Sequence, residues 1–462
     1  MSFKITLAMY SYQTLAVWLL TMVWAQLAQT QSAQYPLLPN QREAAPLPHD
    51  EDRFMITKTV FFEVNPEDRP NDVAIHENIS STIFPRGVTG GIEFVPGEWG
   101  QQHKLTALVR LSSNNEIALN LVSIRNDTRN LFVDSASVPS PSLDSTLALD
   151  PALKVDIVVF IKPQTFRLRK THVSTVNLNI QFFQDIWFET YYLTLSAVNG
   201  FITGLQSPRF MVQDINITSH HGPILGNWSL SASASFTTLT NNIYVNLFPT
   251  LWSAGPYTTA NIFAQSEKGN IDIRMPFEPD KLSLRNGSSI IETRQGSITG
   301  TLVHCGETVL KAGNEIDVKL LPYWAFYNRE VVMPHNYITT ESGDGNTTVE
   351  VLPPVYHRYY KMNPLFFAVS RHVQGDVVSG NEYRRMKLVY PGQWGGVATG
   401  YAGGGGNVDI RGKDFEEVER NGSVVQVERR PLGSQLWFEA DAGSAELVLE
   451  PCYEVGCGFP EV

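Results

Sequence analysis

The clearest signal of the fold is Lys268-Gly269-Asn270-Ile271-Asp272-Ile273, because this short module recurs along the middle of the chain. In each copy a glycine or an asparagine is followed within two residues by an isoleucine. The other copies are Asn199-Gly200-Phe201-Ile202, His221-Gly222-Pro223-Ile224, Asn241-Asn242-Ile243, Gln295-Gly296-Ser297-Ile298 and Gly313-Asn314-Glu315-Ile316-Asp317-Val318. The markers Gly200, Gly222, Asn242, Gly269, Gly296 and Asn314 are separated by 22, 20, 27, 27 and 18 residues, a spacing typical of stacked structural repeats.

The module has a physical interpretation as the corner of a coil. Glycine and asparagine adopt the left-handed conformation that a tight corner requires, and the isoleucine that follows points inward. One coil cannot bury its own apolar face, so neighbouring coils must stack to create a core. The sequence therefore predicts a single-strand-repeat β-solenoid over residues 191–322.

Alternating apolar residues precede this region. Apolar side chains occupy every second position in Lys104–Leu111, Glu116–Ile124, Lys154–Ile161 and Thr175–Phe182. A period of two is typical of strands with one buried face. We therefore predict a β-sandwich-like domain over residues 56–190.

Beyond the repeats, residues 323–365 carry four prolines and the sequence Ser342-Gly343-Asp344-Gly345-Asn346, which predict a linker or long loop. The module then returns as Gly406-Asn407-Val408-Asp409-Ile410 and, more loosely, as Gly443-Ser444-Ala445. We therefore expect a further β region over residues 366–462. Residues 414–420 are the best candidate for a short helix, and the fold class is all-β.

The composition is that of a folded, acidic protein. The chain has 462 residues, 43% of them hydrophobic and 18% charged, which suggests two to three domains. Its formal net charge is −11. Such a surface repels phosphate backbones and anionic lipid, so we expect no nucleic-acid partner and no binding to a membrane surface.

The N-terminal residues indicate export. Lys4 is the one charged residue before Arg42, and Leu15–Trp24 is uninterrupted apolar sequence followed by small residues. Residues 1–33 therefore predict a signal peptide, cleaved near Ala28 to Ala33. The alternative is an uncleaved signal anchor, which would leave a single-pass membrane protein. In both cases the remainder is extracellular or lumenal, beginning with a proline-rich linker over 34–55.

Acceptor motifs for N-glycosylation fit this interpretation. They lie at Asn78, Asn126, Asn216, Asn227, Asn286, Asn346 and Asn421. Of the three cysteines, Cys452 and Cys457 can close a short loop as a disulfide in an oxidising compartment, which would leave Cys305 unpaired. The other pairings stay open. No set of Cys and His has the spacing of a zinc site, so we predict no metal site.

Several residues invite a chemical role, and each has a structural explanation. Asp272, Asp317 and Asp409 occupy the same module position and could form a carboxylate ladder that binds Ca²⁺ or cleaves a polysaccharide. This position also alternates with buried residues, so we expect a solvated face. His220-His221 and His304-Cys305 are adjacent pairs, and neighbouring residues on a strand point to opposite faces.

Two further features have the same ambiguity. Gly403-Gly404-Gly405-Gly406 lacks the Lys-Ser/Thr of a phosphate-binding loop and predicts a turn. The aromatic cluster Phe182, Phe183, Trp187, Phe188, Tyr191 and Tyr192 could bind sugar, but it is better explained as core at a domain junction. We therefore predict no catalytic residues and no cofactor.

A family resemblance rests on three segments. They are Val155–Pro163 followed by Val173–Ile180, the corners at Gly200, Gly222, Gly269 and Gly296, and Tyr390-Pro391-Gly392-Gln393-Trp394-Gly395-Gly396 leading to 406–414. Over roughly residues 80–450 the chain resembles a group of filamentous-fungal secreted or membrane-anchored proteins and, more distantly, bacterial adhesin-like β-solenoid domains. The resemblance implies the fold and supplies no catalytic residues.

Together these observations favour a non-enzymatic function. The leading hypothesis is an extracellular or cell-surface structural, adhesin-like protein, whose expected partners are cell-wall polysaccharide or surface proteins. The alternative is a carbohydrate-binding or carbohydrate-active β-helix protein. Two carboxylates facing each other in a groove would favour an enzyme, and a flat aromatic strip would favour binding.

Overall fold

A computed structural model describes most of the chain from residue 56 to residue 450. The described residues are 56–64, 72–80, 83–84, 87–98, 105–114, 116–127, 129–136, 152–163, 167–204, 210–250, 260–277, 287–324, 336–356, 366–372, 385–392, 394–430, 433–441 and 443–450. The predicted signal peptide or anchor, the proline-rich linker, Asn286, Cys452 and Cys457 lie outside them.

The described residues form thirty-two strands and one short helix. The N-terminal elements are β1 (Ile56–Val64), β2 (Asp72–Asn78), β3 (Val88–Pro96), β4 (Leu105–Ser113), α1 (Glu116–Asn120), β5 (Val122–Asn126), β6 (Asn130–Ser135), β7 (Leu153–Ile161), β8 (Arg167–Thr175) and β9 (Asn179–Phe182). The middle strands are β10 (Phe188–Ala197), β11 (Ile202–Gly204), β12 (Phe210–Ser219), β13 (Ile224–Leu230), β14 (Ser233–Thr238), β15 (Ile243–Pro249), β16 (Asn261–Ser266), β17 (Ile271–Arg274), β18 (Gly287–Thr293), β19 (Ile298–His304), β20 (Gly306–Ala312), β21 (Ile316–Trp324), β22 (Asn336–Ser342) and β23 (Thr347–Val351). The C-terminal strands are β24 (Val355–Tyr356), β25 (Phe366–His372), β26 (Arg385–Tyr390), β27 (Gly396–Ala402), β28 (Val408–Gly412), β29 (Glu416–Asn421), β30 (Val424–Arg429), β31 (Ser434–Ala440) and β32 (Ser444–Leu449).

The strands form two sheets of sixteen strands each, and the all-β prediction is confirmed. Sheet A has the order β1-β4-β7-β3-β9-β11-β13-β15-β17-β19-β21-β23-β26-β32-β28, with β24 paired to β21. Sheet B has the order β29-β30-β27-β31-β25-β22-β20-β18-β16-β14-β12-β10-β8-β2-β6-β5. Between β8 and β23 the chain alternates between the sheets, so each coil of this β-solenoid contributes one strand to sheet B and the next strand to sheet A.

A column of isoleucines fills the interior behind the corners. Eight isoleucines stand in register on the inner face of sheet A: Ile92, Ile180, Ile202, Ile224, Ile243, Ile271, Ile298 and Ile316. All eight are at most 1% exposed. The predicted stacking of isoleucine on isoleucine is therefore confirmed, and it gives each coil the apolar partner that it cannot supply itself.

The corner glycines are needed for a different reason from the predicted one. Gly200, Gly222, Gly269 and Gly296 are absent from the residues with positive φ, so the expected left-handed corner is wrong at these positions. Instead, a Cβ on Gly269 would lie 1.8 Å from the backbone oxygen of Asn241 in the preceding coil. A Cβ on Gly222 would lie 2.0 Å from the oxygen of Gly200. Glycine is required because successive corners approach backbone to backbone.

A buried hydroxyl completes the corners at Gly222, Gly269 and Gly296. Three residues before the glycine stands a serine or threonine whose oxygen accepts the glycine N–H, from Gly222 to Ser219 at 3.1 Å and from Gly269 to Ser266 at 2.8 Å. At the next corner Gly296 N donates to Thr293 Oγ1 (3.1 Å), which in turn donates to Gly269 O (2.7 Å). The hydroxyl thus satisfies a buried donor and ties one coil to another.

The ends of the array are intercalated. At the N-terminal end the coil formed by β2 and β3 lies between the coil of β6 and β7 and the coil of β8 and β9. At the C-terminal end the coil formed by β31 and β32 lies between the coil of β25 and β26 and the coil of β27 and β28. Antiparallel strands close both ends, with β1 and β4 at one and β29 and β30 at the other.

Glu77 fastens the intercalated N-terminal coil. It occupies the corner position that carries serine or threonine in most of the other coils, and it is 2% exposed. Its Oε2 accepts hydrogen bonds from Thr175 Oγ1 (2.6 Å), Val176 N (2.8 Å) and Asn177 N (2.9 Å) of the neighbouring coil. These donors satisfy the buried carboxylate. The contact also joins residues about a hundred positions apart in the chain.

Several local predictions need correction. Glu116–Ile124 is not one strand, because α1 takes up Glu116–Asn120 and β5 begins at Val122. Residues 414–420 do not form a helix, since β29 spans Glu416–Asn421. The loop expected over 323–365 contains β22 and β23, which continue both sheets. The returning modules at Gly406 and Gly443 do lead into strands, β28 and β32.

The domain boundaries stay a prediction. β10, which contains the proposed boundary after residue 190, is hydrogen-bonded to β8 on one side and β12 on the other. Both sheets therefore run through this point.

Replacing Gly269 by alanine tests the corner packing. Because the new Cβ would overlap a backbone oxygen that cannot swing away, we expect a loss of stability of about 1–3 kcal/mol or more. Gly91→Ala is the matched control, since its Cβ would meet its nearest neighbour at 3.6 Å, an ordinary contact. Urea unfolding of both variants measures the difference. Equal stabilities would contradict the close-approach explanation.

The corner hydroxyl is tested by two isosteric substitutions. Thr293→Val removes the acceptor of Gly296 N and should cost about 1–3 kcal/mol. Thr238→Val makes the same change at the corner of another coil, where Oγ1 has no partner among the described residues. This control should be neutral or stabilising. Thermal melts compare the two, and a larger loss for Thr238→Val would refute the role of the hydroxyl.

Candidate functional site

A groove crosses sheet B at the ends of five consecutive strands in that sheet. It has a volume of about 510 Å³ and lies over β12, β14, β16, β18 and β20. The lining residues are Thr218, Ser219, His220, Thr237, Thr238, Leu239, Gln265, Ser266, Glu267, Glu292, Thr293, Arg294 and Lys311. Since adjacent strands are about 4.8 Å apart, the groove is about 19 Å long.

The parallel register sorts these side chains into rows. Thr218, Thr237, Gln265, Glu292 and Lys311 are the last outward-facing residues of their strands and align as one row. The first corner residues form a second row, which includes Leu239, Glu267 and Arg294. Between the rows lies a floor of four buried hydroxyl residues, Ser219, Thr238, Ser266 and Thr293. The result is a polar trough perpendicular to the strands.

The charged groups of the groove are paired with each other. Arg294 Nη1 lies 3.0 Å from Glu267 Oε1, and Lys311 Nζ lies 3.6 Å from Glu292 Oε1. The two carboxylates are therefore each next to a base, and the four groups sum to zero formal charge. Because these pairs are solvent-exposed, they contribute little to stability and are free to exchange partners with a ligand.

Beside the groove, the same face carries an apolar row. Phe263, Ile290 and Val309 stand in register two residues before the groove residues of β16, β18 and β20. Farther along, the row continues through Thr339 to Val369 and Trp437. On β12 and β14 the same positions carry the polar residues Asn216 and Ser235. Val369 and Trp437 are exposed. One face of sheet B thus combines a polar trough with an adjoining apolar strip.

The predicted carboxylate ladder on sheet A does not form. Asp272 and Asp317 share a row, but Thr299 separates them. Asp272 is held by Arg274 at 2.8 Å and Asp409 by Arg411 at 2.7 Å. Because Asp272 and Asp409 are ion-paired and Asp317 is separated from Asp272 by Thr299, the three aspartates do not present a joint site.

The two adjacent pairs are also not joint sites. His220 and His221 are exposed, with ring centroids 6.4 Å apart. His304 is buried and shares a hydrogen bond of 2.7 Å with Thr308 Oγ1. Burial raises the pKa of the neighbouring Cys305 thiol to about 12. A thiol with such a pKa is inert at neutral pH. Among the described residues no group of three His, Cys, Asp or Glu side chains could hold a metal ion.

The aromatic cluster divides between core and surface. Phe182 and Phe188 are buried, and Phe182 stacks on Phe94 with ring centroids 4.3 Å apart. Tyr192 is exposed, and the remaining three residues are partly buried. The cluster therefore belongs mainly to the core. The glycine run 403–406 forms a turn in which Gly404 and Gly405 have positive φ.

Five of the acceptor asparagines are exposed. They are Asn78, Asn126, Asn216, Asn346 and Asn421. Asn227 is half-buried and accepts a hydrogen bond of 2.7 Å from Asn246. Asn216 lies on the outer face of β12, two residues before the groove residue Thr218.

Sequence reasoning missed the groove and a histidine pair. The signal for the groove was present, because Ser/Thr stands three residues before Gly222, Gly269 and Gly296. His76 and His172 come within 5.2 Å between ring centroids, and burial lowers the pKa of both. They are 96 residues apart in the sequence and meet because of the intercalated coil, so no local sequence pattern predicts their contact.

Comparison with known proteins gives weak similarity. No protein-family model and no curated protein matches the chain. A cell adhesion protein from Clostridium sporogenes, provisionally assigned as such, has a TM-score of 0.20 and 7% identity, covering 85% of this chain and 99% of its own. A provisionally assigned adhesin from Parabacteroides merdae has a TM-score of 0.28 and 10% identity over 69% and 94%. A provisionally assigned lipid-binding protein from Parabacteroides distasonis has a TM-score of 0.27 and 8% identity over 70% and 98%. Scores this low carry no function over to this chain.

Buried His304 makes stability depend on pH. Burial lowers its pKa from 6.5 to about 4, so the folded state holds it neutral while the unfolded state takes up a proton. Its contribution is fully present above about pH 6.5 and is lost as the pH falls towards 4, by about 3 kcal/mol in total. Urea unfolding at pH 7.5 and 4.5 measures this loss.

His304→Gln should flatten the pH profile, because glutamine can still hydrogen-bond to Thr308 and does not titrate. The exposed His221→Gln is the control and should leave the profile unchanged. If His304→Gln loses as much stability on acidification as the parent chain, the assignment fails.

Proposed function

We propose that the protein is an extracellular or cell-surface, adhesin-like protein that acts by binding and not by catalysis. The observation that carries this proposal is the face of sheet B. There a rigid parallel array presents an open polar groove and an adjoining apolar row, while each groove carboxylate is paired with a base. Such a face offers extended contact along many coils.

The charge pairing argues against glycoside hydrolysis. That reaction needs one carboxyl group as proton donor and a second carboxylate as nucleophile or base, with the scissile bond between them. In the groove, each glutamate has a base beside it, Arg294 at Glu267 Oε1 and Lys311 at Glu292 Oε1, so the two do not form an unpaired acid and base facing each other. Carbohydrate binding without cleavage is the second candidate function, and the groove favours it.

Localisation is part of the proposal. No helix among the described residues is long and apolar enough to cross a membrane. Secretion through a cleaved signal, the signal-anchor alternative, N-glycosylation and a fungal source remain predictions from the sequence. The exposure of five acceptor asparagines supports the glycosylation prediction, because these side chains are accessible on the folded surface.

An attachment assay tests the proposed function. Beads coated with the full chain should retain cells or cell-wall fragments, and the purified chain should release no reducing sugar from the same fragments. Beads coated with albumin are the control. Sugar release that Glu292→Gln abolishes would replace the proposal with an enzyme, and attachment no greater than that of albumin would reject it.

A further inference from the structure

We infer that the groove on sheet B binds an uncharged polysaccharide chain lying along the solenoid axis. This deepens the proposed function, on which it rests, by naming the ligand class and the site. The observations are the length of the groove, its charge balance, its outward-facing polar row and the apolar row at its side.

The shape selects an extended ligand. The groove is open and crosses five strands in register, so a lining position recurs on each coil at about 4.8 Å. A compact ligand would contact one or two coils and leave the rest of the groove filled with water. A linear polymer of similar repeating units can instead make comparable contacts on every coil.

The charge balance selects an uncharged ligand. Two carboxylates and two bases lie at the ends of β16, β18 and β20 and pair across neighbouring coils, Glu267 with Arg294 and Glu292 with Lys311. A polyanion would meet the two glutamates, and a polycation would meet Arg294 and Lys311. A neutral polyhydroxyl chain avoids both penalties, because each hydroxyl donates to a carboxylate or accepts from a base.

The remaining lining fits sugar hydroxyls. Thr237 and Gln265 are adjacent in register on the outer face and offer a hydroxyl and an amide, each able to donate and accept. The paired charges and the outward-facing Thr237 and Gln265 disfavour an acyl chain, which would remove water from these groups.

The apolar row supplies the other half of sugar recognition. Phe263 precedes Gln265 by two residues on β16 and therefore lies on the same outer face. Sugar rings have apolar C–H faces as well as polar edges. Polar edges in the trough and C–H faces over Phe263 and its neighbours would satisfy both sides of the chain.

Titration calorimetry of the full chain with defined oligosaccharides tests the inference. The probes are cellohexaose, laminarihexaose, chitohexaose and mannohexaose, with hexagalacturonate and phosphatidylcholine vesicles as the charged and the lipid comparison. The groove variant is Thr237→Ala/Gln265→Ala. Its matched control is Thr203→Ala/Gln181→Ala, an adjacent pair of the same residue types on the outer face of sheet A. Asn216→Gln protein is used throughout, so that a glycan on Asn216 cannot cover the groove.

At least one uncharged hexasaccharide should bind, and the groove variant should weaken it by about tenfold to thirtyfold while the control pair leaves the Kd unchanged. Binding that both double variants leave intact would overturn the site. Preference for hexagalacturonate or vesicles, or no binding by any uncharged probe, would overturn the ligand class. If the groove variant still attaches to cells in the bead assay, the groove inference falls and the adhesive function stands.

Discussion

Backbone-to-backbone contact at the corners sets how closely the coils of this solenoid can stack. Consecutive coils can hydrogen-bond along both sheets only if their corners are equally close, and a Cβ at Gly222 or Gly269 would overlap a carbonyl of the coil before. The corner hydroxyl then satisfies the N–H that this crowding buries, for example Ser266 with Gly269. Once the corners are fixed, the isoleucine column and both sheets are fixed in register.

That register also makes the candidate site. Because residues at equivalent positions align, an outward residue on one coil, such as Gln265, finds Thr237 and Glu292 beside it on its neighbours. A row of functional side chains therefore forms on the strands themselves, and no loop is needed to position it. The same regularity explains why the polar trough and the apolar row run side by side, since they occupy outward positions two residues apart on the same strands.

The repeats and the all-β fold followed from the sequence because the corner module is local and recurs at intervals of 18 to 27 residues. The two-sheet arrangement, the hydroxyl before the glycine and the groove did not, because they depend on which coils become neighbours. Ser342-Gly343-Asp344-Gly345-Asn346 shows the difference, since it predicts a loop in isolation. In the structure it joins β22 to β23, with Thr347 in the isoleucine column. Glu116–Ile124 failed for the opposite reason, since its alternation resembles a strand but its first turn is helical.

The intercalated ends have a consequence for how such a protein can change in length over evolution. Where a coil packs only on its sequence neighbours, duplication or loss of one repeat leaves every other contact intact. This holds for the coils between β10 and β21. It fails for the coil of β2 and β3 and for the coil of β31 and β32. Each of these coils is inserted between two other coils that are consecutive in the chain. Related genes should therefore differ in the number of central repeats while conserving both terminal arrangements.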